Sequence, residues 1–133
     1  VEAAMKLCIT SDGKELNSSV EETFGRSPYF VIVNTETPES KSVRNTSMQS
    51  GHGAGIRAAQ IIADEGAEAL LTGIVGPNAF NALKAAHIKV FEGASEFDSV
   101  KDALEKFKKG MYKEATVPSG GPGGGRRFRG GQW

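Results

Sequence analysis

The sequence has little cysteine: one, Cys8, in 133 residues. No internal disulfide can form, and this chain alone cannot build a cysteine-ligated zinc or iron–sulfur site. No apolar run approaches the roughly 20 residues of a membrane span. The opening VEAAMKLCIT lacks the basic start and long apolar stretch of a secretory signal. Net charge is also lacking, but the zero total hides an asymmetry. The last sixteen residues, PSGGPGGGRRFRGGQW, carry three arginines and no acid, and the body before them holds 16 acidic and 13 basic side chains. A slightly acidic body has no basic face for duplex DNA. Together these absences describe a soluble cytoplasmic protein, expected to be a monomer with no membrane and no nucleic-acid partner. The length suits one domain with a real core.

What is present reads as alternating structure. MKLCIT (5–10) is a short apolar run ending at a Ser-Asp-Gly turn and predicts a buried strand, with Cys8 as a small hydrophobe inside it. YFVIVN (29–34) is aromatic and β-branched, a strong strand. KSVRNTS (41–47) is a more polar edge strand, joined to it by the proline-bearing turn TETPES in an antiparallel hairpin. A helix is expected over 55–65 with Gly66 as its stop, then a strand at 68–73. Pro77 opens a second helix that places Phe80, Leu83 and Ala86 or His87 on one face. A strand at 88–93 and a helix over 98–109 follow. In this last helix Val100, Ala103, Leu104 and Phe107 recur at helical spacing, and the pairs Asp102/Lys106 and Glu105/Lys109 lie on the solvated face. The order β-β-β-α-β-α-β-α predicts a mixed five-stranded sheet, order 3-2-1-4-5 with strand 2 antiparallel, flanked by three helices.

Such a sheet has a switch point where ligands collect at strand C-termini. Three polar, glycine-bearing segments meet there: TSDG (10–13), SGHGAG (50–55) and TGIVGPNA (72–79). In the second, glycines alternate with His52 directly against a good helix, and such a helix start leaves backbone N–H groups bare for an anion. The glycine spacing matches neither a Walker sequence nor GxGxxG, which weakens a nucleotide reading. The connection 11–28, SDGKELNSSVEETFGRSP, is too long to be idle. Its Phe24, Arg26 and Pro28 predict a folded-back, anchored loop. Arg26 serves equally as a salt bridge pinning that loop or as a guanidinium facing an anion.

Several stretches carry a resemblance. FGR-x-PYF, followed in order by GHGAGIRAAQ and TG-x-x-GPNAF-x-x-L-x-AA-x-I-x-V, resembles the dinitrogenase iron–molybdenum cofactor biosynthesis family over most of residues 5–109. The resemblance implies a ribonuclease H-like α/β fold. It also implies a ligand of the kind the family handles, an iron–molybdenum cofactor or its precursor, or a molybdenum–copper sulfide cluster. One departure is His87, where the family commonly has glycine. A left-handed helix terminus tolerates histidine, so His87 is read as a cap.

The expectations are then specific. Residues 1–4 form an N-terminal extension, 5–112 the cofactor-biosynthesis-type domain, and 113–133 a disordered Gly/Arg-rich tail, whose composition serves solubility or a partner contact before it serves RNA. The protein is expected to be a non-catalytic carrier of an anionic metal–sulfur cluster, exchanging it with donor or acceptor proteins. His52 would be both metal ligand and cluster contact. Gly51, Gly53, Gly55, Arg26, Ser11, Asp12, Thr72, Gly73 and Asn78 would complete the site. One competing class is a ribonuclease H-like or nucleotide-dependent enzyme. Its nuclease form needs converging carboxylates, and the acids Asp12, Glu21, Glu22 and Asp64 are scattered. The other competing class is a ligand-free interaction module.

Overall fold

The computed structural model describes residues 4–37, 39–50 and 53–118. The strands are β1 (Lys6–Ser11), β2 (Tyr29–Asn34), β3 (Ser40–Arg44), β4 (Ala69–Leu71) and β5 (Lys89–Phe91). The helices are α1 (Ala54–Asp64), α2 (Pro77–Ala85) and α3 (Val100–Lys108). The sheet order is β3-β2-β1-β4-β5. β2 is antiparallel to both neighbours, and β1, β4 and β5 run parallel. This is the mixed five-stranded sheet that the element order predicted, and the ribonuclease H-like arrangement that the resemblance implied.

The period-2 alternation of the strands sorts their side chains onto two faces. Cys8, Phe30, Ile32, Leu70 and Val90 point to the face covered by α1 and α2, which bury Ala58, Ala59, Ile62, Phe80 and Leu83 against them. Leu7, Ile9, Val31, Val33 and Leu71 point to the other face, under Val100 and Ala103 of α3. Cys8 is fully buried, and burial pushes its thiol well above the usual range. The folded protein should therefore be inert to a thiol-reactive dye at pH 8 and should titrate one thiol once unfolded. Rapid labelling of the folded protein would mean that the central strand opens.

Several local expectations need correction. β3 stops at Arg44, short of residue 47: Asn45 N–H still donates to Pro28 O, but Pro28 has no N–H to return, the Asn45 side chain bonds to Ser27 and Ser47, and Thr46–Ser50 forms a 3-10 turn. In α2 the buried residues are Ala79, Phe80 and Leu83, while Ala86 and His87 are exposed. The helix ends before them. His87 takes φ 62°, the left-handed terminator, and that turns the chain away from the apolar face. Lys106 pairs with Asp98 at 2.8 Å, not with Asp102. Asp98 is held rigidly by its own backbone bonds to Ser95 and Val20, which makes it a well-placed acceptor. Glu105 and Lys109 form no ion pair among the described residues.

Within the stretch from residue 113 given to the tail on composition, Glu114 and Ala115 pair with β5. Glu114 bridges to Phe91, and Ala115 N–H donates to Val90 O at 2.7 Å. The arginine-rich remainder, 119–133, lies outside the described residues, as do residues 1–3, Pro38, Gly51 and His52. Among the described residues, no helix is long and apolar enough to cross a membrane.

The long connection after β1 folds back, as its Phe24 and Pro28 led us to expect. Glu21 N–H donates to Thr10 O, and Ile74 N–H to Glu22 O at 2.7 Å, so the segment crosses the C-terminal ends of β1 and β4. It then makes a 3-10 turn, Phe24–Arg26. Phe24 is buried and stacks on Phe30, ring centroids 5.6 Å apart. This buried ring fixes where Arg26 is presented.

Candidate functional site

The turn Phe24–Arg26 brings its residues against the start of α1. A crevice of about 450 Å³ lies between that turn and the starts of two helices. One wall is Thr23 to Arg26, another is Ala54 and Gly55 of α1, and the third is Ile74 with Gly76 to Ala79 at the start of α2. The two helix starts come close because Gly55 allows it: a Cβ there would lie 2.8 Å from Ala79 Cβ, whereas a Cβ on Gly25 would meet Gly55 Cα at an ordinary 3.6 Å.

Both helices arrive at the crevice with their first turns bare. Gly53 caps α1 in left-handed geometry, φ 79°, and Gly76 caps α2, and neither makes a side-chain capping bond. Neither first turn contains an acid. The N–H groups of Ala54, Gly55, Asn78 and Ala79 have no acceptor among the described residues. Helix α3 is the contrast: Ser99 Oγ accepts from Asp102 N–H at 3.0 Å, and Asp102 supplies a carboxylate to the first turn. The ordinary satisfaction of a helix start is thus present at α3 and absent at the two helices that face the crevice.

Arg26 is the one charged side chain among the described lining residues. It is exposed and forms no ion pair among the described residues, so the salt bridge that sequence left open for it is not seen there. Thr23 and Asn78 are the polar uncharged side chains of the described lining, and Phe24, Ile74, Pro77 and the two alanines make its apolar part. Two helix dipoles and a guanidinium converge on a space whose described lining residues include no acid, and the carboxylates at its edge, Glu21 and Glu92, accept from the N–H groups of Thr23 and Val75, an arrangement that attracts anions.

The structure gathers some of the sequence-derived candidates and not others. Arg26, Gly55 and Asn78 line the crevice, and Gly53 caps the helix beside it. Gly51 and His52 lie outside the described residues, immediately before that cap. Ser11, Asp12, Thr72 and Gly73 do not line it. Ser11 is buried, its hydroxyl donating to Gly13 O at 2.6 Å and its N–H to Ser27 Oγ at 3.0 Å. Asp12 Oδ1 accepts from Ser19 N–H at 3.1 Å. Thr72 is buried with its hydroxyl 2.8 Å from that of Thr10. Gly73 is where the long loop crosses, and a Cβ there would sit 2.6 Å from Glu22 O. These four residues hold the loop down. Sequence reading passed over Phe24 and Gly25 as crevice walls, and reached Gly76 only within the segment 72–79. Adjacency to Arg26 and Pro77 was the available signal.

The scattered acids do not converge either. Glu21 Oε2 accepts from Thr23 N–H and Glu22 Oε2 from Glu96 N–H, while Asp64 ends α1. Among the described residues, no group of three or more His, Cys, Asp or Glu could hold a metal ion.

Comparison with known proteins places these features in a lineage. The family model described as dinitrogenase iron-molybdenum cofactor matches residues 5–110. The apo form of the orange protein from Desulfovibrio gigas is 40% identical with a TM-score of 0.83, over 89% of this chain and 98% of that one. A putative NifB protein from Thermotoga, solved by NMR, is 35% identical with a TM-score of 0.73, over 96% and 99% of the two chains. An uncharacterized protein of Methanocaldococcus jannaschii is 29% identical over 113 residues, 83% of this chain and 91% of its own.

Proposed function

Because the chain belongs to the dinitrogenase iron-molybdenum cofactor family, we propose that its crevice holds an anionic metal–sulfur cluster as cargo, which the protein carries without catalysis. The observation that supports this is the convergence of two uncapped helix starts and Arg26 on one space lined by no described acid. A preassembled anion needs only donors around it, and backbone N–H groups with a guanidinium supply them. The apolar walls suit sulfide, which is softer and less hydrated than oxide. His52, one residue before the Gly53 cap, adds an imidazole that ligates the metal or donates to the cluster. The cargo in this reading is an iron–molybdenum cofactor, its precursor, or a molybdenum–copper sulfide cluster, passed to or from a protein partner. The dispersed carboxylates, each occupied by a backbone N–H or remote from the crevice, weigh against the nuclease alternative.

Anaerobic titration with tetrathiomolybdate plus copper, followed by visible absorption, tests this reading. Each charge-assisted contact contributes roughly 1.5–3 kcal/mol, so Arg26→Ala and His52→Ala should each weaken binding by about tenfold or more. Arg26 is exposed, and thermal stability should stay nearly constant in the variants. Equal binding by wild type and both variants would remove these residues from the site. Absence of binding by the wild type would favour the ligand-free interaction module.

A further inference from the structure

Asn45 is buried, 4% exposed, just after β3, and it touches neither the crevice nor either helix start. Its one carboxamide joins two segments that do. Nδ2 donates to Ser27 O at 2.7 Å, and Oδ1 accepts from Ser47 N–H at 2.9 Å and from the Ser47 hydroxyl at 2.5 Å. Its own N–H donates to Pro28 O at 2.9 Å. Ser27 closes the turn that carries Arg26, its N–H donating to Phe24 O at 3.3 Å, and its hydroxyl is tied to Ser11 of β1 and to Tyr29 of β2. Ser47 is buried in the 3-10 turn Thr46–Ser50, which packs against α1 and leads into Gly51, His52 and Gly53.

We propose that Asn45 is a positioning residue for the anion site, setting the Arg26 turn at a fixed separation from the 3-10 turn Thr46–Ser50 that packs on α1. The inference rests on the carrier reading above. The residue type fits because a carboxamide offers a donor and an acceptor side by side on one short, uncharged planar group. Aspartate would keep the bonds to Ser47 and lose the donor to Ser27. Serine would keep a local turn and lose the reach.

The test uses the full chain with Asn45→Ser. Amide hydrogen exchange should accelerate at Arg26 and Ser47 together, with Leu70 in the central sheet unchanged. Acceleration at Ser47 alone overturns the proposal, and this arm needs no ligand. Tetrathiomolybdate with copper supplies the second arm. Asn45→Ser and Arg26→Ala should each weaken binding by about tenfold, and the double variant should bind within about twofold of Arg26→Ala alone, because coupled residues are not additive. A double variant weakened by about a hundredfold, the additive result, overturns the proposal. Should Asn45→Ser fail to fold, Asn45→Asp breaks the Ser27 link alone and takes its place in both arms. A wild type that binds no anion defeats the carrier reading and leaves the exchange arm to decide the role of Asn45.

Discussion

Phe24→Ala should destabilise the protein by about 3–5 kcal/mol, the range for deleting a buried aromatic ring. Phe24 is 1% exposed, stacks on Phe30, and belongs to the core cluster between the sheet and helices α1 and α2. Its removal leaves a cavity under the one turn that carries Arg26. In urea denaturation the midpoint should fall sharply. Anion binding should fall further than stability alone explains, since Phe24 is also a wall of the crevice. Phe97→Ala is the control: that ring is 90% exposed, and its loss should change stability by no more than about 0.5 kcal/mol. A cost below about 1 kcal/mol for Phe24→Ala would mean that the loop 12–28 is held by its backbone and polar bonds, not by its aromatic anchor.

The physical reasons for what sequence could and could not reveal differ between elements. β2 was legible to the residue because YFVIVN is apolar and β-branched on both faces, and the strand is sandwiched between two layers. The start of α2 was legible because proline after glycine suits a first helical turn and little else. The end of β3 is not legible because nothing in KSVRNTS reveals that the Asn45 side chain will take up Ser27, a residue far away in sequence, as well as its near neighbour Ser47. The site divides in the same way. Arg26, Gly55 and Asn78 lie at or next to the starts of short helical turns, where glycine and proline mark the chain, and the crevice gathers them. Ser11, Asp12, Thr72 and Gly73 give a comparable signal, polar residues and a glycine at strand ends. Which strand ends a long loop will cover is a tertiary outcome, and here the segment 19–24 crosses over these residues.

Gly55→Ala should weaken cluster binding by about thirtyfold, roughly 2 kcal/mol, although it adds a single methyl group. Gly55 is the second residue of α1 and faces Ala79 in the first turn of α2. An added Cβ would lie 2.8 Å from the Ala79 Cβ, closer than two carbons can sit, so the two helix starts must part. Alanine gains up to about 1 kcal/mol of helix propensity over glycine, and overpacking costs about 1–3 kcal/mol. Net stability should therefore change little, or fall by about 1–2 kcal/mol. Binding is more sensitive, because the N–H groups of both helices must point at one anion, and a small separation weakens several contacts at once. The compensating change is Ala79→Gly, which removes the atom that Gly55→Ala strikes. The double variant Gly55→Ala, Ala79→Gly should recover most of the lost affinity, a coupling that two independent sites would not show. If Gly55→Ala binds tetrathiomolybdate with copper as tightly as the wild type, the close approach of the two helices has no part in holding the cluster. If it binds weakly and Ala79→Gly restores nothing, the methyl group acts by filling the crevice and not by parting the helices.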